Sequence, residues 1–300
     1  MKKTAAAVTA AMLLLAGLPV SAEGGTMTLR LSAYQQNFSK DMLADGDITV
    51  PGGLYIDNYS GINRLRVVLT SDAPLHLDNG DFAWDTSDPE KKDVLALFKS
   101  YSTAMYTQKS LIDDSENIAS FIGPENMEKG RFILNGEINQ EGAPLVRFDL
   151  RIPADTPCGD YSCGISTFVL TEEIDGKIYN TPDFYAYSEA GQLTEGKDIL
   201  LQPMPVSVYL RGDVNCDEKV AVEDAQAALL YYTAAVVSHQ ELSDEESAEL
   251  LGTKSIHAAQ KAADASADGS FDIDDPQGIL LYYTMGLTGQ AASWSDIFGE

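Results

Sequence analysis

The 300-residue chain carries 46 acidic against 20 basic side chains, a formal net charge of −26. Such a surface cannot neutralise phosphates, which excludes a nucleic-acid partner. Three cysteines are too few for a disulfide framework. Of the three histidines only His76 precedes residue 211, so a zinc cluster or a histidine-based triad is not available to the larger part of the chain.

Met1-Lys2-Lys3 is a short basic start, and residues 5–18 are apolar but too few to span a bilayer. Val20-Ser21-Ala22 then places small residues before Glu23. Residues 1–22 read as a cleaved secretory signal, so the mature chain is expected outside the cell. No cysteine follows the cleavage point, which argues against a lipid anchor, and no later segment suits membrane insertion.

From residue 26 to about 210 the pattern has a period of two. Met27, Leu29, Leu31 and Ala33 alternate with polar residues, as do Leu65, Val67 and Leu69, and then Val146, Phe148 and Leu150. Half-buried strands give that period. Asp175-Gly176 separates residues 165–173 from 177–179, a hairpin signature. Pro203 and Pro205 suit an edge or the entry to a last strand, with Val206, Val208 and Leu210 facing inward. One helix is expected here, with Asp88 as N-cap, Pro89 in its first turn and Val94, Leu95 and Phe98 on one face. Residues 23–210 thus form one module, a two-sheet β-sandwich with a single core.

Nothing in this module singles out a catalytic group, and none is assigned. A glycosidase needs two carboxylates converging across a cleft, whereas Glu172/Glu173 and Asp113/Asp114 are sequence neighbours. Trp84, Tyr101, Tyr106, Tyr179, Tyr185 and Tyr187 are candidates for a sugar-stacking face, and Tyr185 and Tyr187 share strand parity. Buried packing or cross-strand pairing is the plainer account of them. Cys158 and Cys163 flank a turn-like Gly-Asp-Tyr-Ser, where a bridge or two free thiols are equally open. Cys216 is expected to face solvent.

Residues 211–300 hold a repeat. Asp224-Ala-Gln-Ala-Ala-Leu-Leu-Tyr-Tyr-Thr233 returns 51 residues later as Asp275-Pro-Gln-Gly-Ile-Leu-Leu-Tyr-Tyr-Thr284. A twelve-residue acidic loop precedes each copy. Loop 1 offers Asp213, Asn215, Asp217 and Asp224 at positions 1, 3, 5 and 12, with the Lys219 carbonyl at position 7. Loop 2 offers Asp264, Ser266, Asp268, Asp272 and Asp275 at positions 1, 3, 5, 9 and 12, with the Ser270 carbonyl at position 7. This is the ligand spacing of an EF-hand-like calcium loop, so two Ca2+ ions are expected. Gly269 stands at the sharp turn of loop 2, where loop 1 has Glu218. Ala225, Ala228, Leu229 and Tyr232, and likewise Pro276, Ile279, Leu280 and Tyr283, would form the packing faces of the two helices. Between them, Ser243-Asp-Glu-Glu246 is a capping box and Gly252 a stop, followed by a second helical run from Ser255 to Ala263. The apolar tail, with Trp294, Ile297 and Phe298, is expected to clasp the module near its N-terminal side.

The fold class is therefore mainly β, a sandwich followed by a small α-helical module with two EF-hand-like calcium loops. Gly212-Asp213-x-Asn215-x-Asp217, then Asp224-Ala-Gln, the Leu-Leu-Tyr-Tyr-Thr run and the second loop resemble a dockerin. The Trp294-Ser-Asp-Ile-Phe298 tail is similar to the ending of Ruminococcus-type dockerins. The resemblance implies a calcium-dependent plug for a scaffoldin cohesin. It places the partner face on Val222, Glu223 and Leu230 and on Ile273, Asp274 and Leu281, with two opposite docking poses. Asp47-Ile-Thr-Val-Pro51 with residues 55–62, and residues 151–161, resemble a cohesin or a related carbohydrate-binding sandwich. The expectation is a secreted, non-catalytic cellulosome component involved in polysaccharide degradation. Its sandwich would accept another dockerin as a cohesin-like adaptor, or bind a plant polysaccharide. The alternative is a small sandwich-fold polysaccharide hydrolase or lyase carried by the dockerin.

Overall fold

The computed structural model describes residues 26–58, 62–78, 112–113, 116–122, 146–188 and 191–299. The leader expected at residues 1–22, the helix expected at residues 88–98, and Trp84, Tyr101 and Tyr106 lie outside them.

Alternating apolar residues build two facing sheets. One runs in the order β14 (Ile199–Gln202), β1 (Met27–Ala33), β3 (Ile48–Asp57), β8 (Val146–Ile152) and β5 (His76–Asp78). The other runs β13 (Gly191–Leu193), β12 (Tyr185–Ser188), β4 (Ile62–Ser71), β9 (Gly159–Ile165), β15 (Met204–Tyr209) and β2 (Asn37–Ser39). In it β7 (Glu116–Ile122) also pairs with β4, and β6 (Ile112–Asp113) with β7. Adjacent strands are antiparallel except for β1 with β14 and β15 with β2. Leu29, Leu54, Phe148 and Leu150 from the first sheet share one buried cluster with Leu65, Leu69, Met204 and Val208 from the second. A single core between two sheets makes this a sandwich. A four-residue helix, α1 (Lys40–Leu43), follows β2 and is capped by the Ser39 hydroxyl, which accepts from the Met42 N–H.

Two expectations need correction here. The stretch 165–173 is not one strand. Ile165 ends β9, and residues 166–168 turn away, with the Ser166 hydroxyl on Asp183 and the Asp183 N–H on the Phe168 carbonyl. The hairpin then stands apart as a two-stranded ribbon, β10 (Val169–Ile174) and β11 (Lys177–Pro182). Its turn residues Asp175 and Gly176 have φ of 52° and 74°, the left-handed pair that a two-residue turn requires. Leu210 does not join Val206 and Val208 in the core; it lies past the end of β15 and is half-buried. Pro203 and Pro205 do stand at the entry to the last strand: Pro203 precedes β15 and Pro205 is its second residue. Pro205 is tolerated because β2 pairs only from Ser207 onward, so no ladder bond is missed on that side.

After one tight turn, in which the Asp213 N–H donates to the Leu210 carbonyl, the chain enters a helical module. It comprises α2 (Val222–Tyr232), running on into a π-helical turn at Thr233–Val237, then α3 (Asp244–Leu251), α4 (Ile256–Ala263), α5 (Asp274–Leu287) and α6 (Trp294–Phe298). Ser243 and Glu246 close their capping box at both ends, and Gly252 stops α3 in the left-handed region. A second core, separate from the first, gathers Val214, Ala225, Ala228, Leu251, Ala259, Ala263 and Ile279.

The helix faces are turned from those expected. Leu229 and Leu280 are 45% and 46% exposed, whereas Asp224, Ala225 and Ala228 on α2 and Asp275, Pro276, Gly278 and Ile279 on α5 are buried. The last carboxylate of each loop must point inward, which rotates the buried face by about one residue toward it. Apolar periodicity alone does not register that demand.

Truncating Phe148, 1% exposed, should cost about 3–5 kcal/mol of sandwich stability. Ile178→Ala on the ribbon, where the side chain is 70% exposed, should stay within about 0.5 kcal/mol. Chemical denaturation of the full chain compares the two. Equal losses would mean that the ribbon belongs to the core.

Candidate metal centre

The two loops reproduce one hydrogen-bond scheme. At position 1, Asp213 accepts from the Asp217 and Glu218 N–H groups at 3.0 and 2.9 Å, and Asp264 accepts from the Gly269 N–H at 3.1 Å. At position 3, Asn215 and Ser266 accept from the N–H of Asp217 and Asp268. At position 5, Asp217 and Asp268 accept from Lys219 and Ser270. At position 12, Asp224 accepts from the N–H of Val214, Asn215 and Ala221, and Asp275 from those of Ser266 and Asp272. Asp272, at position 9 of loop 2, accepts from the Asp274 N–H, where loop 1 has Ala221. Each loop is thereby wound around its own side-chain oxygens.

The backbone repeats as well. Position 4 has φ of 59° at Cys216 and 57° at Ala267, and position 6 has 70° at Glu218 and 82° at Gly269. A non-glycine residue in the left-handed region costs on the order of 1–2 kcal/mol, so loop 1 holds strain that loop 2 avoids. Position 8 anchors each loop in the helical core, through Val220 and through Phe271, which meets Tyr231 and Tyr232 at about 6 Å.

Asp213, Asp224 and Asp275 have no exposed surface. Burial pushes Asp213 up to about 6, with Asp224 and Asp217 adding repulsion against the lowering effect of its N–H donors. Burial also raises Asp224, Asp264 and Asp275 above the ordinary carboxylate value. Buried oxygens whose charged form is disfavoured suit a cation. Among the described residues, no three or more His, Cys, Asp or Glu side chains are grouped as a ligand set as they stand. The donors that fit a metal in loop 1 are Asp213, Asn215, Asp217, Asp224 and the Lys219 carbonyl. In loop 2 they are Asp264, Ser266, Asp268, Asp272, Asp275 and the Ser270 carbonyl. Such a mixed oxygen set suits a hard divalent ion; Asp224 Oδ1 takes two N–H donors, but its Oδ2 accepts one and keeps a further lone pair.

Away from the loops, Leu230 and Leu281 are 57% and 47% exposed, and Glu223, Ile273 and Asp274 are also exposed. Val222, the first residue of α2, is half-buried. The tail folds back on the module: Trp294 stacks on Tyr282 with ring centroids 4.2 Å apart, and the Arg211 guanidinium lies over both Trp294 and Phe298. A Cβ at Gly278 would strike the Phe298 ring, so the bare backbone is what admits the tail.

Sequence reasoning missed the joint between the modules. Asp160 of β9 accepts from the His257 and Ala258 N–H groups at the start of α4, both at 2.8 Å, and from the Ser207 hydroxyl at 2.7 Å. His257 Nδ1 stands 3.4 Å from the same carboxylate. Glu218, on loop 1, accepts from the Cys158 N–H and meets Lys40 Nζ at 3.2 Å, while Lys40 also donates to the Thr156 carbonyl. An open cleft of about 630 Å3 runs along this joint, bordered by Asp41, Arg211, Glu218, Lys219, Tyr282 and Trp294. The one signal in the sequence was Glu218 itself, a side chain where the turn favours glycine.

All three cysteines are free. Cys158 and Cys163 are five residues apart along extended chain, roughly 16 Å, far beyond bridging distance. Burial raises all three thiols, Cys163 and Cys216 to about 12. Cys216 does not face solvent as expected; it is half-buried, with its thiol bonded to Thr253. Tyr185 and Tyr187 do share a face, edge to ring at 5.8 Å, and His76 lies in β5.

No protein-family model matches the sequence, and no curated protein matches it. Among solved structures the chain is similar to the seventh ScaB type I cohesin from Pseudobacteroides cellulosolvens. That match has 15% identity and a TM-score of 0.30, over 62% of this chain and 93% of the other. A type II cohesin domain from the cellulosome of Acetivibrio cellulolyticus matches at 10% identity and a TM-score of 0.34, over 61% and 95%. The third ScaC cohesin of Acetivibrio cellulolyticus, in complex with the ScaB dockerin, matches at 14% and 0.33, over 61% and 98%. The neighbours are cohesin domains; the two-sheet description above rests on this chain's own strand pairing.

The Asp160–His257 contact should be visible in its titration. The hydrogen bond to Asp160 raises His257 above its ordinary value, with Asp244 adding attraction and burial opposing. Burial opposes ionisation of Asp160 too, but the bonds from His257, Ser207 and Ala258 outweigh it and hold the carboxyl low. The His257 contribution is complete below its ordinary value and is lost as pH rises through the raised one. The Asp160 contribution is lost as pH falls below the carboxylate range. Proton NMR of the full chain should find His257 titrating above about 6.5 and returning there in Asp160→Asn. Identical titrations would show that the pair does not form.

Proposed function

We propose that the chain is a secreted, non-catalytic component of a cellulosome-type assembly, with a dockerin at residues 211–300. In this reading each loop binds one Ca2+ through the oxygen donors set out above. The paired helices α2 and α5 then present Leu230 and Leu281, with Val222, Glu223, Ile273 and Asp274, to a scaffoldin cohesin. The observation that carries it is the duplicated loop geometry. Two loops 51 residues apart accept backbone N–H groups at the same positions 1, 3, 5 and 12, and each leads into a helix whose Leu-Leu pair is left exposed. Duplication gives the face an approximate two-fold, so a cohesin could be met in either of two poses. The sandwich, residues 23–210, serves as a cohesin-like adaptor for another dockerin or as a polysaccharide-binding module. A screen of the full chain against dockerins and plant glycans separates these two roles.

Loop 2 should bind calcium more tightly than loop 1. It has four ligand carboxylates against three, and glycine at the turn. Calorimetry should show two events, the tighter lost in Asp264→Ala and the weaker in Asp213→Ala. Leu230→Ala alone should leave cohesin binding little changed, because the second pose replaces the first, whereas Leu230→Ala with Leu281→Ala should weaken it at least about tenfold. A double variant that binds normally would remove the Leu face from the interface, and cohesin binding indifferent to excess chelator would sink the dockerin assignment.

A further inference from the structure

Glu218 belongs to two places at once. Its backbone is the position-6 turn of loop 1, donating its N–H to Asp213 at 2.9 Å. Its side chain leaves the loop for the sandwich, accepting from the Cys158 N–H and pairing with Lys40. The left-handed φ of 70° that strains this residue is also what throws the carboxylate outward. Loop 2 has no equivalent. Gly269 occupies its turn, and nothing lies within 4 Å of where a side chain would begin.

The rest of the joint leaves little slack for loop 1 to rearrange alone. One turn, Leu210–Asp213, separates the last sandwich strand from the first loop ligand. Arg211 within that turn donates to the Ala265 carbonyl, and Gly212 donates to the Ala262 carbonyl. Asp160 fixes α4 from the sandwich side through two backbone N–H groups, and its third partner, Ser207, lies on the last sandwich strand. Lys40 is held in turn by the Thr156 carbonyl, so the Glu218 contact meets a positioned cation.

We infer that Glu218 is a positioning residue that couples cation binding in loop 1 to docking of the helical module on the sandwich, through a side chain that loop 2, with Gly269 at the same turn, does not have. The inference rests on the calcium reading of the loops. A cation that orders Asp213, Asp217 and the Lys219 carbonyl fixes the turn at Glu218 from both sides, and its side chain with it, which strengthens the Cys158 contact. By linkage, the docked sandwich must raise the affinity of loop 1 by the same factor. Departure from glycine at this turn is then the feature that makes one of two otherwise similar sites report on the state of the joint.

Amide hydrogen exchange on the full chain tests this, read at Cys158, whose N–H belongs to the sandwich and touches no proposed calcium ligand. Calcium should slow Cys158 exchange by about fivefold or more. In Glu218→Gly both loops should still bind calcium by calorimetry, and Cys158 exchange should no longer respond. Lys40→Met, which leaves every loop residue in place, should weaken the loop 1 event by about two- to fivefold and leave the loop 2 event unchanged. Calcium binding with Cys158 exchange unaltered in the natural chain would overturn the coupling alone. Equal slowing in Glu218→Gly, or a Lys40→Met loss shared by both loops, would do the same. Absence of any calorimetric calcium event would overturn the coupling together with the calcium reading.

Discussion

Three aspartates with no exposed surface, Asp213, Asp224 and Asp275, set the terms for the whole C-terminal module. An ionised carboxylate withdrawn from water costs several kcal/mol unless hydrogen bonds and opposite charge meet it. The loops answer the first requirement by winding around the carboxylates, so that up to three backbone N–H groups point at one side chain. Opposite charge is what the proposed cation would bring; without one, burial pushes Asp213 up to about 6. Much of the local architecture follows from turning these groups inward. Positions 4 and 6 enter the left-handed region, and the buried face of α2 rotates toward Asp224, with Ala225 and Ala228 beside it.

A related problem recurs, differently solved, where the modules meet. Asp160 and Glu218 are partly withdrawn from solvent, and each is held ionised by local donors: N–H groups, a hydroxyl and an imidazole for the first, an N–H and an ammonium for the second. These contacts cross from one hydrophobic core to the other without joining them. The joint thus combines these polar contacts with the packing of α4 on β9 and β15, where Ala258 and Ala262 are fully buried. Such an interface can respond to pH and to the state of an adjoining loop without either core being disturbed.

The sandwich strands were legible because burial on one face of a strand imposes a period of two, and Met27, Leu29 and Leu31 or Phe148 and Leu150 obey it. Helix ends in the connector were legible because capping is local: Ser243, Glu246 and Gly252 declare themselves within ten residues. The two acidic loops were legible as a repeat because their copies stand at a fixed offset of 51 residues. What escaped depends on distant partners. Ser166 breaks the 165–173 run through Asp183, 17 residues on, and no glycine or proline marks the break. Leu229 and Leu280 sit where periodicity expects core, but the inward carboxylates claim that face. Glu218 was legible as strain and illegible as a contact, since Lys40 and Cys158 lie far back in the chain.

On the calcium reading proposed above, the helical module owes its fold to cations held by buried carboxylates, whereas the sandwich needs none. Thermal unfolding of the full chain, followed by circular dichroism in calcium and in excess chelator, tests it most directly. The account predicts that the chelator lowers the melting of the helical signal steeply and leaves the strand transition near its place. Helical melting at the same temperature in both conditions would contradict it.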